Sequence, residues 1–206
     1  MSNFAFLPPE FRDVAEAATK AESHIHGDPR ASCFHARFAL EAVVHWLYRH
    51  DPALRMPYDT KLGALLHEPS FQNLLPEAVF QKARVIHRVG NLAVHNNRPV
   101  RQFDALQAVK ELHHVCYWLT RTYAPGVSRE GAAWRDERVP QTAREAEGEA
   151  VPRKELEELE DRLEAQNKKQ LEQQRERDAL DAELQQLREQ LAEVRAASET
   201  KPDSHD

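Results

Sequence analysis

Apolar residues in the first 124 positions recur at steps of three and four, and no stretch alternates apolar with polar residues convincingly. Half-buried strands need that alternation, because their side chains point to opposite faces at every second residue. β-Branched residues are not gathered into runs either, which removes the other usual sign of a strand. The spacing therefore predicts an all-α fold, built from helices that bury one stripe each against their neighbours.

The predicted helices carry their own start and stop signals. "PPEFRDVAEAATKAESHI" opens on prolines suited to a first turn, then places Phe11, Val14, Ala15 and Ala18 at helical spacing. In "GDPRASCFHARFALEAVVHWLYRH", Asp28 is the expected N-cap and Pro29 the first helical residue. Phe34, Ala36, Leu40, Val43, Val44 and Leu47 then give a band wide enough for a central helix. "DTKLGALLHEPSFQNLL" predicts one or two short helices broken near Pro69. "PEAVFQKARVIHRVGNLAVH" predicts a long helix ending before Pro99, and "FDALQAVKELHHVCYWLTRTY" a second one after it.

Beyond Tyr123 the composition changes. Residues 125–152 are rich in Gly, Pro and charge and predict a flexible linker after a bundle spanning residues 1–124. From residue 153 a seam counted in alternate steps of three and four runs from Leu156 to Val194. Eight of its twelve positions are apolar, and the polar ones lie in the middle. That register predicts a coiled coil over residues 153–197 and hence a homodimer. A single solvated helix held by i,i+4 charge pairs is the other reading. Residues 198–206 read as a disordered tail.

The net charge of −6 divides unequally along the chain. Residues 1–124 hold 14 Lys and Arg against 12 Asp and Glu, whereas residues 125–206 hold 14 against 22. Acidity therefore belongs to the C-terminal part and says little about what the bundle binds. The two cysteines, Cys33 and Cys116, sit inside apolar helical patterns, as expected for buried free thiols in a reducing compartment. No run of 18 apolar residues occurs, and "MSNFAFLPPEFRD" does not resemble a signal peptide. A cytoplasmic protein with no membrane association is expected.

One polar stripe interrupts the buried pattern. At about 100° per residue, Arg84, His87, Arg88, Asn91 and His95 share an arc of about 100° on one helix. Gly90 falls on the opposite side, where a missing side chain would let another helix approach closely. Between Glu77 and Asp104 there is no acidic residue, while Lys82, Arg84, Arg88, Arg98 and Arg101 are all basic. Such a window favours neutral imidazole and attracts phosphate. Three roles compete for it. His95 and Arg88 would be structural, as a helix-end residue and a partner of Glu41 or Asp104. They would otherwise contact nucleic acid or a protein partner, together with Arg84, His87, Lys82, Arg98 and Arg101. Or they would catalyse, with a neutral imidazole as base and positive charge opposite a developing phosphorane.

Other chemistries lack their residues. His113, His114 and Cys116 are close in sequence, but adjacent histidines point about 100° apart on a helix and no Cys-x-x-Cys pair occurs, so no metal and no cofactor is expected. No Gly-rich phosphate loop, Ser-centred elbow or Glu/Lys nuclease cluster is present, which excludes an ATPase or restriction nuclease site from these residues.

The spacing of Arg88, six residues, then His95, on a helix that follows two long ones, resembles the HEPN superfamily. The stretch "ARVIHRVGNLAVHNNRPVRQFDALQAVKELHHVCYWL", with its GN-x-A-x-H core, resembles the HEPN-related domain at the amino terminus of some type I restriction enzyme restriction subunits. In that arrangement a coiled-coil linker follows, then a nuclease domain and a helicase motor, and this chain would supply the first two parts. The resemblance implies a HEPN-like bundle serving dimerisation or recognition in a restriction or other antiphage defence protein, with restriction-system subunits and RNA or DNA as partners. It also implies an alternative, a metal-independent endoribonuclease acting as a dimer. There Arg88 and His95 would be catalytic and Asn91 would take the polar role, since Val89 directly follows Arg88.

Overall fold

The computed structural model describes residues 1–95, 99–128 and 131–141, and further on Glu158, Asp161, Arg162, Ala165, Lys168, Lys169, Glu172, Gln173 and Glu176. Among the described residues every regular element is a helix. The chain divides into two compact units, Met1–Asp161 and Arg162–Asp206. The described residues from Glu158 onward are helical and exposed. Of the expected coiled-coil seam only Gln173 is among them, so the coiled coil and the tail at 198–206 lie outside the described residues.

The first unit is built from α1 (Arg12–Ser23), α2 (Pro29–His50), the short α3 (Leu62–His67) and α4 (Pro69–Leu74), α5 (Glu77–His95) and α6 (Gln102–Tyr123). A 3₁₀ turn at Pro9–Phe11 leads into α1. Helix α2 starts where its sequence says it should. Asp28 Oδ1 accepts from the backbone N–H groups of Arg30 at 3.1 Å and Ala31 at 3.0 Å, satisfying donors that have no partner within the helix. Pro69 begins α4, and Glu68 before it accepts from Ser70 N at 3.3 Å, so one predicted segment becomes two helices.

Helix α2 is the central element and packs against α1, α5, α6 and α3. Its apolar residues are buried nearly all round, from Phe34 through Leu40, Val43 and Val44 to Leu47. Phe4, Phe11, Ile25, Leu65, Phe71, Ile86, Leu112 and Leu119 complete the core with side chains almost wholly removed from water. Each such side chain contributes on the order of 1.5–3 kcal/mol. Cys33 and Cys116 are buried free thiols, as the sequence suggested. Burial pushes the Cys33 thiol up to about 12 and raises Cys116 as well.

The segment expected to be a flexible linker departs from that expectation. Among its described residues, Ala132 and Val139 are buried in the core, and Val127 and Trp134 pack against it. Arg135 donates its backbone N–H to Asn3 Oδ1 at 2.8 Å, and Asn3 Nδ2 donates back to the Arg135 carbonyl at 3.0 Å. A 3₁₀ turn at Asp136–Arg138 lies between these anchors. A few apolar residues without periodicity are enough to dock a strap, though not enough to announce one. The bundle thus extends well past residue 124.

Candidate functional site

Helix α5 buries Phe80, Ala83, Ile86, Gly90, Ala93 and Val94 and exposes the opposite side. Gly90 is where α2 comes closest. A Cβ built there would stand 2.8 Å from Cδ and 3.0 Å from Cγ of Arg37, and closer still to its Cβ. The close approach anticipated at Gly90 is therefore real, and the group that fills the notch is the stem of Arg37.

The structure divides the five-residue stripe in two. His87 and Asn91 form its inner edge and are half-buried, with Asn91 Nδ2 3.0 Å from His87 Nε2. The His87 ring also lies beside Gly63 of α3, 3.4 Å from where a Cβ would be. Burial lowers the His87 pKa, Arg37 and His67 add to that, and Glu41 opposes it, so the ring is neutral near pH 7. Arg84, Arg88 and His95 form the outer edge and are exposed. The Arg84 guanidinium lies 6.0 Å from the Phe80 ring centre, with Nη1 3.3 Å from Gln81 Oε1. Arg88 forms an ion pair with neither Glu41 nor Asp104 among the described residues. The carboxylate of Asp104 is taken by Arg101, and the Glu41 carboxylate lies 3.7 Å from His45 Nε2. Arg88 and His95 are two turns apart on one helix, about 10 Å along its axis, and look the same way.

The remaining basic residues separate from this face. Lys82 stands about 120° from Arg88 around the helix, toward α6, and forms an ion pair with Glu111. Burial works against the Glu111 charge, but Lys82, Gln107 and His114 outweigh it and hold the carboxyl below its usual range. Lys82 is therefore part of the α5–α6 contact, with its charge met by Glu111. Arg101 forms a two-pronged bond with Asp104, 2.8 Å from Nε and 2.9 Å from Nη2, so its positive charge is locally balanced. The same bond lowers the Asp104 pKa. Arg98 lies outside the described residues.

Sequence reasoning passed over Arg37 beneath the stripe and named Glu41 only as a partner for Arg88. Arg37 and Glu41, one turn apart on α2, are each 6% exposed. The signal was present, since both interrupt the apolar band of the central helix. A third constraint fixes the end of α5, where Arg30 on the first turn of α2 donates to the Ala93 carbonyl. A cation at a helix C-terminus satisfies a carbonyl that has no partner within the helix and opposes the local dipole. Together Arg30 and the Arg37 notch hold the end of α5 that carries Arg88 and His95. Among the described residues no group of three or more His, Cys, Asp or Glu is placed to hold a metal ion, and no helix is long and apolar enough to cross a membrane.

No curated protein and no solved structure matches this chain. Residues 19–166 match the model of one family, running from within α1 to beyond the docked strap. With more than half of its length matched, the chain belongs to the family described as Domain of unknown function (DUF4145).

Proposed function

We propose that the helical bundle is a recognition and dimerisation module of a restriction–modification or other antiphage defence protein. Its contact with nucleic acid is made by the outer edge of α5. The observation that supports this reading most is the pairing state of that edge. Arg84 and Arg88 are exposed on a helix whose neighbourhood in sequence, from Ala78 to Phe103, contains no carboxylate. Guanidinium groups without carboxylate partners suit phosphate oxygens. The likeness to HEPN-related domains of restriction subunits, and the leucine seam of residues 153–197, support the setting and the dimer.

The test is fluorescence anisotropy of the full chain with labelled single-stranded RNA and duplex DNA across salt concentrations. Reversing both charges, Arg84→Glu with Arg88→Glu, is expected to weaken binding on the order of tenfold or more. It should also reduce the salt slope by about one for each phosphate that is no longer neutralised. Unchanged affinity, or no binding by the native chain at low salt, refutes the reading. Light scattering of the full chain tests the dimer, and a monomer at tens of micromolar refutes it.

The common orientation of Arg88 and His95 favours a second reading, a metal-independent endoribonuclease of the HEPN type. His95 would then take the proton from the attacking hydroxyl and Arg88 would stabilise the phosphorane, without Asn91, which is committed to His87. RNA cleavage in EDTA, lost about 100-fold or more in His95→Ala at unchanged melting temperature, distinguishes this reading from recognition alone.

A further inference from the structure

The strap at residues 131–141 crosses the bundle where the N-terminal segment, α1 and α6 meet. Its backbone is clamped at Arg135 by Asn3, and Asn3 is itself held by Glu22 of α1. Asn3 donates to the Glu22 carboxylate from its backbone N at 3.1 Å and from Nδ2 at 2.6 Å. Lys110 of α6 bonds Asp136 at 2.8 Å and lies 5.7 Å from the Trp134 ring centre. Under the strap sits His113, 3% exposed. Its ring is enclosed by Phe6 at 5.2 Å, Trp134 at 5.5 Å and Phe4 at 5.7 Å between ring centres, all edge to face.

We propose that residues 131–141 are a latch that stays closed while the His113 ring is neutral, and that protonating the ring releases it. An imidazolium ion needs water or an anion, and this cage offers aromatic carbon and the uncharged backbones of Ala132 and Asn3. Of the charged groups on the elements packed around it, His114 of α6 and Arg138 of the strap act on the ring. The carboxylates on these elements are engaged elsewhere, Asp136 by Lys110 and by Trp134 Nε1 at 2.8 Å, Glu22 by Asn3 and the Ser2 hydroxyl, and Glu111 by Lys82. A new positive charge would therefore meet two cationic or protonatable groups without an available counterion. The ring's preference agrees with this geometry. Burial, then His114 and Arg138, push the pKa of His113 down to about 4, against weaker opposition from the backbone of Ala132 and Asn3.

Release lets the ring hydrate and regain its usual pKa of about 6.5. The latched form then binds fewer protons than the released form between pH 6.5 and 4. Latching is at full strength above that window and weakens as pH falls through it. The equilibrium should shift toward release by about tenfold per pH unit, up to about 300-fold in total. An open latch frees residues 131–141, which can span up to about 40 Å when extended.

Amide hydrogen exchange of the full chain, corrected for intrinsic rates, tests this at pH 7.5 to 4.5. Peptides covering residues 131–141 should be protected at pH 7.5 and lose protection as pH falls, while α2 remains protected. The α2 control matters because burial also pushes His35 down to about 4. In His113→Leu, which cannot titrate, strap protection should not change with pH. The latch is refuted by free exchange of the strap at pH 7.5 or by protection that ignores pH. It is also refuted by simultaneous loss in α2, or by the same loss in His113→Leu. If that variant does not fold, NMR titration of the His113 ring in the native chain decides. An apparent pKa of 6.5 or above overturns the proposal, and a depressed value that tracks strap exchange supports it.

Discussion

Gly90→Ala should destabilise the protein, although alanine is the better helix former. In an open helix the change would gain about 1 kcal/mol. Here the new methyl would stand 2.8 Å from Cδ and 3.0 Å from Cγ of Arg37, where carbon atoms prefer about 3.5–4.0 Å. The outer stem of Arg37 can swing aside. Its Cβ is the nearest of these atoms and is fixed to the α2 backbone, so relief requires α2 and α5 to part. Overpacking of this kind costs about 1–3 kcal/mol, and an obstacle fixed to the backbone belongs at the upper end. Subtracting the propensity gain leaves a net loss of about 2 kcal/mol, or about 4–8 °C in Tm for a chain of this size. Urea denaturation monitored by circular dichroism measures it directly. Gly126→Ala is the control, since a Cβ there meets nothing within 4 Å and should change stability by less than about 0.5 kcal/mol. If Gly90→Ala melts at or above the native temperature, the notch is not tight and α2 does not pack against α5 as closely as described.

Two further outcomes follow from the fold. Asp28→Ala should cost about 1 kcal/mol, because it removes the cap from two backbone donors of the central helix; chemical denaturation that shows no loss would place the start of α2 elsewhere. Cys33 and Cys116 should not react with an aromatic disulfide reagent at pH 8 until the chain unfolds, since both are buried and held as thiols. Rapid labelling of either in the native state would mean that the packing of α2, α5 and α6 opens locally.

The positions of the long helices were legible because their causes are local. Asp28 and Pro29 begin α2, Pro69 divides α3 from α4, and apolar spacing marks α5 and α6, all within a few residues of the event they cause. The glycine opposite the stripe was legible for the same reason, since an absent side chain at a known angle predicts a close neighbour. Which neighbour was not, because Arg37 lies 53 positions earlier and no local rule joins them. Angles around one helix also could not show where the adjacent surfaces end. Only packing decided that His87 and Asn91 turn in toward α2 and α3 while Arg84, Arg88 and His95 stay in water. Lys82 carries the same charge as Arg88, but its side of the helix meets α6, and there Glu111 holds it. The strap was least visible of all. Ala132, Trp134 and Val139 have no period, and their docking depends on Asn3 and His113, which the chain brings near only after the bundle has formed. Sequence alone determined which segments are helical and which faces are apolar, through short-range sterics and solvation. The tertiary structure decided which charges are balanced and which are left in water, because Coulomb and hydrogen-bond partners are chosen by distance in space.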